Sequence, residues 1–193
     1  MTLHRREWLL GAGALGLTSL TGCASGTGVA LTSTAGGRVP AKARVLVVGG
    51  GYGGATAAKY VRLFSEQKID VVLVEPSDAF VSCPISNLVI GGHRTMADIT
   101  TRYDTLGSKH GVRVVKDMVA SIDPAKKVAV LASGPTIAYD KLILSPGVDL
   151  MFDSVTGLRA AQGEGRILQA WKAGPETVAL RRQLEAMADG GVY

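Results

Sequence analysis

Short apolar runs alternate with a helical pattern from residue 44 onward. Residues 45–48 and 70–74 are runs of mostly β-branched residues of strand length, which is typical of buried strands in a parallel sheet. Between them, apolar residues recur with helical spacing, so we expect one face of a helix to pack on that sheet. The positions on that face are Ala57, Tyr60, Val61 and Phe64. The pattern predicts a β-α-β unit and an α/β fold of the Rossmann type.

Further apolar runs follow in the middle of the chain. Residues 111–115, 118–122 and 127–131 predict successive strands of a small β-meander, because turn residues separate them. Residues 141–145 then predict another strand of the sheet, which ends before Pro146.

The last part of the chain predicts one more helix. Pro175 is well placed as its first residue, and we expect the helix to end near Gly190. The expected core positions here are Leu180, Leu184, Met187 and Trp171. The final four residues have the pattern of the beginning of a further strand.

A glycine cluster joins the first strand to the helix. Gly49, Gly51 and Gly54 have the spacing GxGxxG, with Gly53 inside the motif. In a strand-turn-helix context such glycines allow a tight turn, close approach of the backbone to a pyrophosphate, and close packing of helix and strand. The helix N-terminus adds free N–H groups and a positive dipole end. We therefore predict a dinucleotide-binding loop.

A carboxylate follows the second predicted strand, at the spacing from the glycine motif that is typical of dinucleotide-binding folds. Glu75 comes 21 residues after Gly54, where an acidic side chain can accept hydrogen bonds from a ribose diol. This argues against a 2′-phosphorylated cofactor. It does not distinguish NAD from FAD, because both carry an unmodified adenosine ribose.

Residues 1–23 have the pattern of an export signal. A basic start containing Arg5 and Arg6 precedes an uncharged, largely apolar run at residues 8–22, which is shorter than the roughly 20 residues that span a bilayer. The paired arginines resemble a twin-arginine signal, which exports proteins that are already folded. The sequence therefore predicts a periplasmic protein.

Cys23 ends a Leu-Thr-Gly-Cys run that resembles a bacterial lipobox. Two alternatives are open: Cys23 is lipidated, or a peptidase cuts a few residues later and removes it. Lipidation would hold the protein at a membrane by acyl chains, without a transmembrane helix. Residues 24–42 are rich in Gly, Ser, Thr and Ala and predict a flexible linker before the domain.

Composition narrows the class of protein further. The 193 residues are 47% hydrophobic with a formal net charge of +5, which predicts a globular protein of one or two domains. The basic residues are scattered without interleaved aromatics, so we expect no nucleic-acid surface. His93 and His110 stand apart from other ligand-type residues, so we expect no metal site.

Residues 76–92 form an extended connection after Glu75, and a connection of this length in an α/β core is often functional. It contains Cys83, which has no disulfide partner once Cys23 is lipidated or removed. From its chemistry alone, Cys83 is a buried small hydrophobe, a reactive thiol, or a covalent cofactor anchor.

Four runs together resemble the flavoprotein subunit of flavocytochrome c sulfide dehydrogenase. They are VLVVGGGYGGATAAKY, VEPSDAFVSCPISNLVIGG, YDKLILSPGVDLMFD and AWKAGPETVALRRQLEAMADGG, and they extend over nearly everything after Lys42. The resemblance implies that Cys83 binds FAD through a thioether to the flavin 8α-methyl group. Other positions that match the motif around this cysteine are Ser86, Asn87, Val89, Ile90 and Gly91.

The resemblance also implies the rest of the FAD site and the domain plan. Backbone near Val119 would meet the adenine, and Ser145 and Gly147 would form a second FAD fingerprint beside the pyrophosphate. Residues 43–150 would be a Rossmann-like FAD-binding domain of the two-dinucleotide-binding-domain type, with the meander inserted. Residues 151–193 would connect it to a second such domain that is incomplete here.

The activity that the resemblance implies is oxidation of sulfide, with electrons passed through FAD to a c-type cytochrome subunit. The family's redox cysteine pair would lie in a part of the protein beyond residue 193, so this chain would contain no catalytic residue. We expect the chain alone to bind FAD weakly and not to turn over sulfide. The alternatives are a sulfide:quinone reductase and a truncated product without catalysis.

Overall fold

The computed structural model describes residues 43–191, so the predicted export signal, the linker up to residue 42 and Cys23 lie outside the described residues. The strands are β1 (Arg44–Val48), β2 (Asp70–Val74), β3 (Ala79–Val81), β4 (Thr100–Arg102), β5 (Arg113–Val115), β6 (Val119–Asp123), β7 (Val128–Leu131), β8 (Thr136–Ala138) and β9 (Lys141–Leu144). The helices are α1 (Tyr52–Phe64), α2 (Asn87–Ile90), α3 (Asp104–His110), α4 (Leu158–Gly163) and α5 (Pro175–Ala186). Short 3₁₀ turns lie at Ala97–Ile99 and Phe152–Ser154.

Four parallel strands form the central sheet in the order β5-β2-β1-β9. In the middle of β1, Val47 pairs with Leu73 of β2 on one side and with Ile143 of β9 on the other. Both faces of the sheet are covered, which explains why β1 and β2 are continuous apolar runs. The predicted parallel sheet of an α/β fold is confirmed.

The two faces of the sheet pack against different layers, because successive residues of a strand point to opposite faces. Val45 and Val47 of β1 pack with residues of α1 and with Leu106 of α3. Leu46 packs on the other side with Ala129 of the antiparallel meander β6-β7-β8. The domain therefore has three layers: helices, parallel sheet and meander.

A buried arginine joins three segments at the amino edge of the sheet, the edge at which the parallel strands begin. Arg62 of α1 is 8% exposed. Its Nε donates to the carbonyl of His110 (3.0 Å), and its Nη1 donates to the carbonyls of Gln67 (2.9 Å) and Ile69. No carboxylate within residues 43–191 forms an ion pair with it. The guanidinium thus fixes the ends of α1 and α3 to the turn that leads into β2.

The prediction that Tyr60 and Phe64 lie on the buried face of α1 is wrong, because these residues are 40% and 79% exposed. The residues of α1 that are buried are Gly54, Ala58 and Arg62. The reason lies at the start of the helix, where Gly54 touches the carbonyl of Gly49. This contact fixes the rotation of α1 about its axis, so positions four and eight residues further on face the sheet.

The predicted meander is wrong in its first strand. Residues 111–115 do not belong to it, because β5 joins the parallel sheet beside β2. The third strand of the meander is β8, which the sequence analysis missed. This strand is only three residues long and follows a Gly-Pro turn, so it carries little periodic signal.

The connection at residues 76–92 was predicted to be a long loop, but it contains β3 and α2. β3 pairs with β4 in an antiparallel two-stranded sheet, and α2 forms a single turn after it. α2 packs on α5. This part of the chain therefore presents Cys83 from an ordered segment between two elements.

The last helix begins at Pro175 as predicted, but it ends at Ala186 instead of near Gly190. Leu180 is buried, whereas Met187 and Trp171 are exposed, contrary to the prediction that they are core residues. Only the first half of α5 is covered, since its buried residues lie there and it packs on the single turn of α2. Of the four residues predicted to begin a further strand, Gly190 lies in a turn and Gly191 is outside regular structure, whereas Val192 and Tyr193 lie outside the described residues.

Candidate dinucleotide-binding site

The glycine cluster lies where β1 and β9 end and α1 begins, at the carboxyl edge of the sheet. A Cβ on Gly49 would overlap the carbonyl of Ser145, and Gly49 also has a φ of 91°. A Cβ on Gly54 would overlap the carbonyl of Gly49, and a Cβ on Gly53 would lie 2.9 Å from Ser145 Oγ. The backbones therefore touch at Gly49 and Gly54, where a side chain would force the elements apart, whereas at Gly53 only the Ser145 hydroxyl would have to move.

Gly51 has different surroundings from the other three glycines. A Cβ at this position would meet nothing within 4 Å. Gly51 is the N-cap of α1, which has no side-chain cap and no acidic residue in its first turn. The first N–H groups of a helix have no partner within the helix, and here the helix dipole adds positive potential. The start of α1 therefore offers an open position for a phosphate.

Glu75 reaches from the end of β2 to the glycine cluster. Its Oε2 accepts a hydrogen bond from the N–H of Gly50 (2.7 Å), and its Oε1 accepts one from the N–H of Ser77 (2.9 Å). On the other side of the loop, the hydroxyl of Tyr103 donates to the carbonyl of Gly50 (2.9 Å). Gly50 is thus held at both its N–H and its C=O. Each Glu75 oxygen keeps a lone pair for a further donor.

Tyr103 was not identified from the sequence, where no motif marks it. Its ring lies directly beneath the loop, because a Cβ on Gly50 would come within 2.6 Å of the Tyr103 hydroxyl. Burial, and secondarily the negative charge of Glu75, raises the pKa of Tyr103 to about 12. The phenol therefore keeps the proton that it donates to Gly50 throughout the neutral range.

We expect the stability of the protein to fall between pH 10 and about 12, and this fall to be reduced in Tyr103→Phe. The unfolded chain loses the phenol proton near its ordinary pKa of 10, whereas the folded chain keeps it to about 12. Unfolding thus releases a proton in this interval, and the free energy of unfolding decreases as the pH rises. Urea midpoints on both sides of the interval measure the effect. An equally steep fall in Tyr103→Phe would contradict it.

A cavity of about 390 Å³ opens beside the glycine cluster at the carboxyl edge. Residues that line it include Gly49, Glu75, Asp117, Val119 and Pro146. Hydrogen bonds from the hydroxyl of Ser133 and the N–H of Met118 lower the pKa of Asp117, which keeps it ionised. The carboxylates of Glu75 and Asp117 can accept hydrogen bonds from hydroxyl and amino groups of a ligand in this cavity. Their negative charges disfavour a phosphate group there.

Ser145 and Gly147 lie next to this cavity. The N–H of Ser145 donates to the carbonyl of Val48 (2.8 Å), which continues the pairing of β9 with β1 up to the glycine contact. Gly147 has a φ of 75°, and a Cβ on it would meet nothing within 4 Å. The chain therefore turns away from the sheet after Ser145 with open space beside it.

Cys83 and Asn87 lie outside the lining of this cavity. Cys83 is a half-buried free thiol, and its Sγ accepts a hydrogen bond from the N–H of Ala173 (3.5 Å). The hydroxyl of Ser86 donates to the Cys83 carbonyl (2.8 Å), which holds the turn before α2. Asn87 begins that helix and is exposed. The structure thus places the predicted site residues in two groups.

A second cavity, of about 330 Å³, lies on the α1 side of the glycine cluster. Its lining includes Gly51, Tyr52, Phe80, Ser82 and Tyr103. The Tyr52 hydroxyl and Ser82 Oγ share a hydrogen bond, and the rings of Tyr52 and Phe80 meet edge to face at 4.6 Å. The start of α1 is therefore tied to the segment that carries Cys83. Sequence analysis did not identify Tyr52 or Ser82.

Metal-binding groups are not gathered at either cavity. Within residues 43–191, no cluster of three or more His, Cys, Asp or Glu side chains is arranged to hold a metal ion. His93 is exposed and His110 is half-buried at the end of α3. The polar chemistry of the site comes from backbone N–H groups and carboxylates.

Solved structures share this architecture. The sulfide:quinone oxidoreductase of Aquifex aeolicus aligns with a TM-score of 0.60 and 26% identity over 74% of this chain and 32% of its own. A NAD-dependent persulfide reductase from A. fulgidus aligns with a TM-score of 0.62 over 74% of this chain at 19% identity, which supports the fold alone.

Curated relatives point to the same group of proteins. The mitochondrial sulfide:quinone oxidoreductase of Dictyostelium discoideum is 32% identical over 124 residues, which are 64% of this chain and 27% of that protein. The sulfide dehydrogenase flavoprotein chain of Chlorobaculum thiosulfatiphilum is 61% identical over 46 residues, 24% of this chain and 94% of that sequence. The chain thus spans about a quarter of the length of the first of these relatives. The family model for pyridine nucleotide-disulphide oxidoreductases matches residues 43–175, and the chain belongs to that family.

Proposed function

We propose that this chain supplies the FAD-binding part of an enzyme that oxidises sulfide. The observation that carries the FAD assignment is the carboxyl edge of the sheet. Gly49 and Glu75 line one cavity there, and the free N-terminus of α1 at Gly51 opens into the neighbouring cavity across the glycine cluster. Relatives named as sulfide:quinone oxidoreductases and as a sulfide dehydrogenase flavoprotein chain support the substrate.

The residues present fit an adenine dinucleotide. The pyrophosphate would lie at Gly51 and the first N–H groups of α1, where a Cβ would meet open space. Glu75 would accept hydrogen bonds from the ribose hydroxyls, and the backbone at Val119 would border the adenine. Ser145 and Gly147 would border the other side of the pyrophosphate. Bound FAD would supply the conversion of a two-electron oxidation into single-electron steps.

Cys83 is the proposed covalent anchor of this FAD. Support comes from the Cys-x-x-Ser-Asn motif together with the position of the thiol, which is half-buried in an ordered turn and receives the Ala173 N–H. The hydrogen bond between the side chains of Tyr52 and Ser82 connects the turn that carries Cys83 to α1, whose N-terminus would hold the pyrophosphate. A covalent link would prevent loss of the cofactor after export.

The proposed electron acceptor is a c-type cytochrome in the periplasm. Support comes from the twin-arginine pattern at Arg5 and Arg6 and from the flavocytochrome c relative. A quinone is the second candidate acceptor, because several relatives are named as quinone oxidoreductases. The redox cysteine pair of the proposed reaction is expected outside this chain.

We expect flavin to remain on the peptide containing Cys83 after denaturation in acid. The protein is expressed from its complete gene, denatured and digested, and the mass of that peptide is measured. In Cys83→Ser the flavin should be released completely, whereas Cys23→Ser serves as the matched control and should keep the adduct. Release of all flavin from the natural protein would overturn the covalent assignment.

The acceptor is tested separately with the same preparation. Sulfide is added with either cytochrome c or a short-chain quinone, and reduction of each is followed by absorbance. Faster reduction of cytochrome c is expected. Faster reduction of the quinone would favour the second candidate, and no sulfide-dependent reduction of either would overturn the proposed activity while leaving the FAD assignment intact.

A further inference from the structure

The outer face of α1 carries an apolar surface that the domain does not cover. Tyr60, Leu63 and Phe64 are all exposed there, and the rings of Tyr60 and Phe64 are 5.3 Å apart. These three residues form the amino-edge patch together with Lys59 and Lys109 beside them. Exposed aromatic and aliphatic side chains gathered on one face mark an interaction surface more often than isolated ones do.

The patch lies at the edge of the sheet where the described chain begins. α1 runs back from the carboxyl edge, so its last turn lies at the amino edge together with the start of β1. The N–H of Asp70, which follows the turn after α1, donates to the carbonyl of Ala43 (2.9 Å). The segment that carries the predicted export signal therefore enters the domain at the same edge as the patch.

The charges around the patch are basic. Lys59 Nζ lies 5.3 Å from the centre of the Tyr60 ring, and Lys109 lines a shallow groove together with Leu63. Neither lysine forms an ion pair within residues 43–191, whereas Glu66 in the same groove is paired with Lys68 at 2.6 Å. Aromatic and aliphatic groups flanked by free lysines are the combination that binds an anionic lipid surface.

We propose that the amino-edge patch lies on an anionic lipid bilayer. The proposal goes beyond the proposed function and does not require lipidation of Cys23, although a lipid on that cysteine would strengthen the contact. Residues 24–42 predict an average reach of about 25 Å from their composition, so a lipid on Cys23 would keep the domain close to the bilayer. A lipid on Cys23 would anchor only the far end of the linker, and the basic apolar surface would supply a direct contact between the domain and the bilayer. The carboxyl edge, with the candidate FAD site, then faces away from the lipid.

The test is hydroxyl-radical footprinting of the full chain with vesicles of phosphatidylglycerol or of phosphatidylcholine. We expect oxidation of Tyr60, Leu63 and Phe64 to slow several-fold on phosphatidylglycerol only. Met151, which is 81% exposed and follows the carboxyl end of β9, should be oxidised at an unchanged rate. Unchanged oxidation of the patch on vesicles that carry the protein, or equal protection on both lipids, would overturn the proposal. Unchanged oxidation would instead favour a protein as the partner of the patch.

Variants distinguish the contribution of the amino-edge patch to lipid binding from that of a lipid on Cys23. Phe64→Glu should remove the protection of Tyr60, whereas Val155→Glu, also at an exposed apolar residue, should keep it. Lys59→Glu combined with Lys109→Glu should abolish the preference for phosphatidylglycerol. In Cys23→Ser, protection should still appear at higher lipid concentration, because the patch contributes independently of a lipid on that cysteine. Loss of all protection in Cys23→Ser would show that the patch itself has no affinity for lipid.

Discussion

Gly54→Ala is expected to destabilise the domain by about 3 kcal/mol or more and to abolish FAD binding, because overpacking against rigid backbone lies at the upper end of such costs. The added Cβ would overlap the carbonyl of Gly49, which is itself in contact with Ser145 at the end of β9. Rotation of a side chain cannot relieve this overlap, since the two nearest atoms belong to the Gly49 backbone and only the third, Ser145 Cβ at 3.3 Å, belongs to a side chain. Relief requires α1 to move away from β1, which would open the candidate site. Urea unfolding and flavin titration measure the two effects.

Two glycine variants serve as controls. Gly163→Ala, at the last residue of α4, should leave stability equal or slightly higher, because a Cβ there meets nothing within 4 Å and alanine favours helix. Gly51→Ala should also fold normally, since its Cβ would meet open space, but it should weaken FAD binding where the pyrophosphate is proposed to lie. An unchanged unfolding midpoint in Gly54→Ala would show that the contact between α1 and β1 yields easily.

Arg62→Met is expected to lower the free energy of unfolding by about 3 kcal/mol, because each buried carbonyl that loses its charged donor costs roughly 1–3 kcal/mol. The carbonyls of His110, Gln67 and Ile69 would each lose a donor. Methionine preserves the apolar stem of the arginine, so the loss reports on the guanidinium. The measurement is urea denaturation followed by circular dichroism, with the protein purified as the full chain.

Arg182→Met is the matched control for this prediction, because Arg182 is exposed on α5. It should change stability by less than about 0.5 kcal/mol. Arg62→Lys should fall between the two, since an ammonium keeps the charge but cannot reach all three carbonyls in one plane. Equal stabilities of Arg62→Met and Arg182→Met would mean that water replaces the guanidinium without cost.

The features of the fold that depend on residues close together in the chain could be predicted from the sequence. β1 and β2 are continuous apolar runs, and the spacing from the glycine cluster to Glu75 follows from a β-α-β unit, so the sequence alone predicts both. The rotation of α1 depends on the contact between Gly54 and the Gly49 carbonyl, which overrides the helical spacing of Tyr60 and Phe64. Helical periodicity alone could not have indicated this.

Other parts of the site depend on contacts between distant residues. Tyr103 reaches Gly50 across 53 residues, and the Ala173 N–H reaches Cys83 Sγ across 90. No spacing rule links either pair. The roles assigned to Cys83, Asn87, Val119, Ser145 and Gly147 came from family resemblance, and they stay predictions that the flavin-peptide measurement and the titrations address.

The position of β9 beside β1 has a consequence for how the chain folds during synthesis. The carboxylate of Asp140 accepts a hydrogen bond from the N–H of Arg44 across 96 residues, and β9 follows directly. A ribosome adds that length in about 5 to 20 seconds, and during this time one edge of β1 lacks its neighbour. An unpaired edge of a highly apolar strand is prone to aggregate. A chaperone that holds the nascent chain until residue 144 has emerged would therefore raise the yield of folded protein.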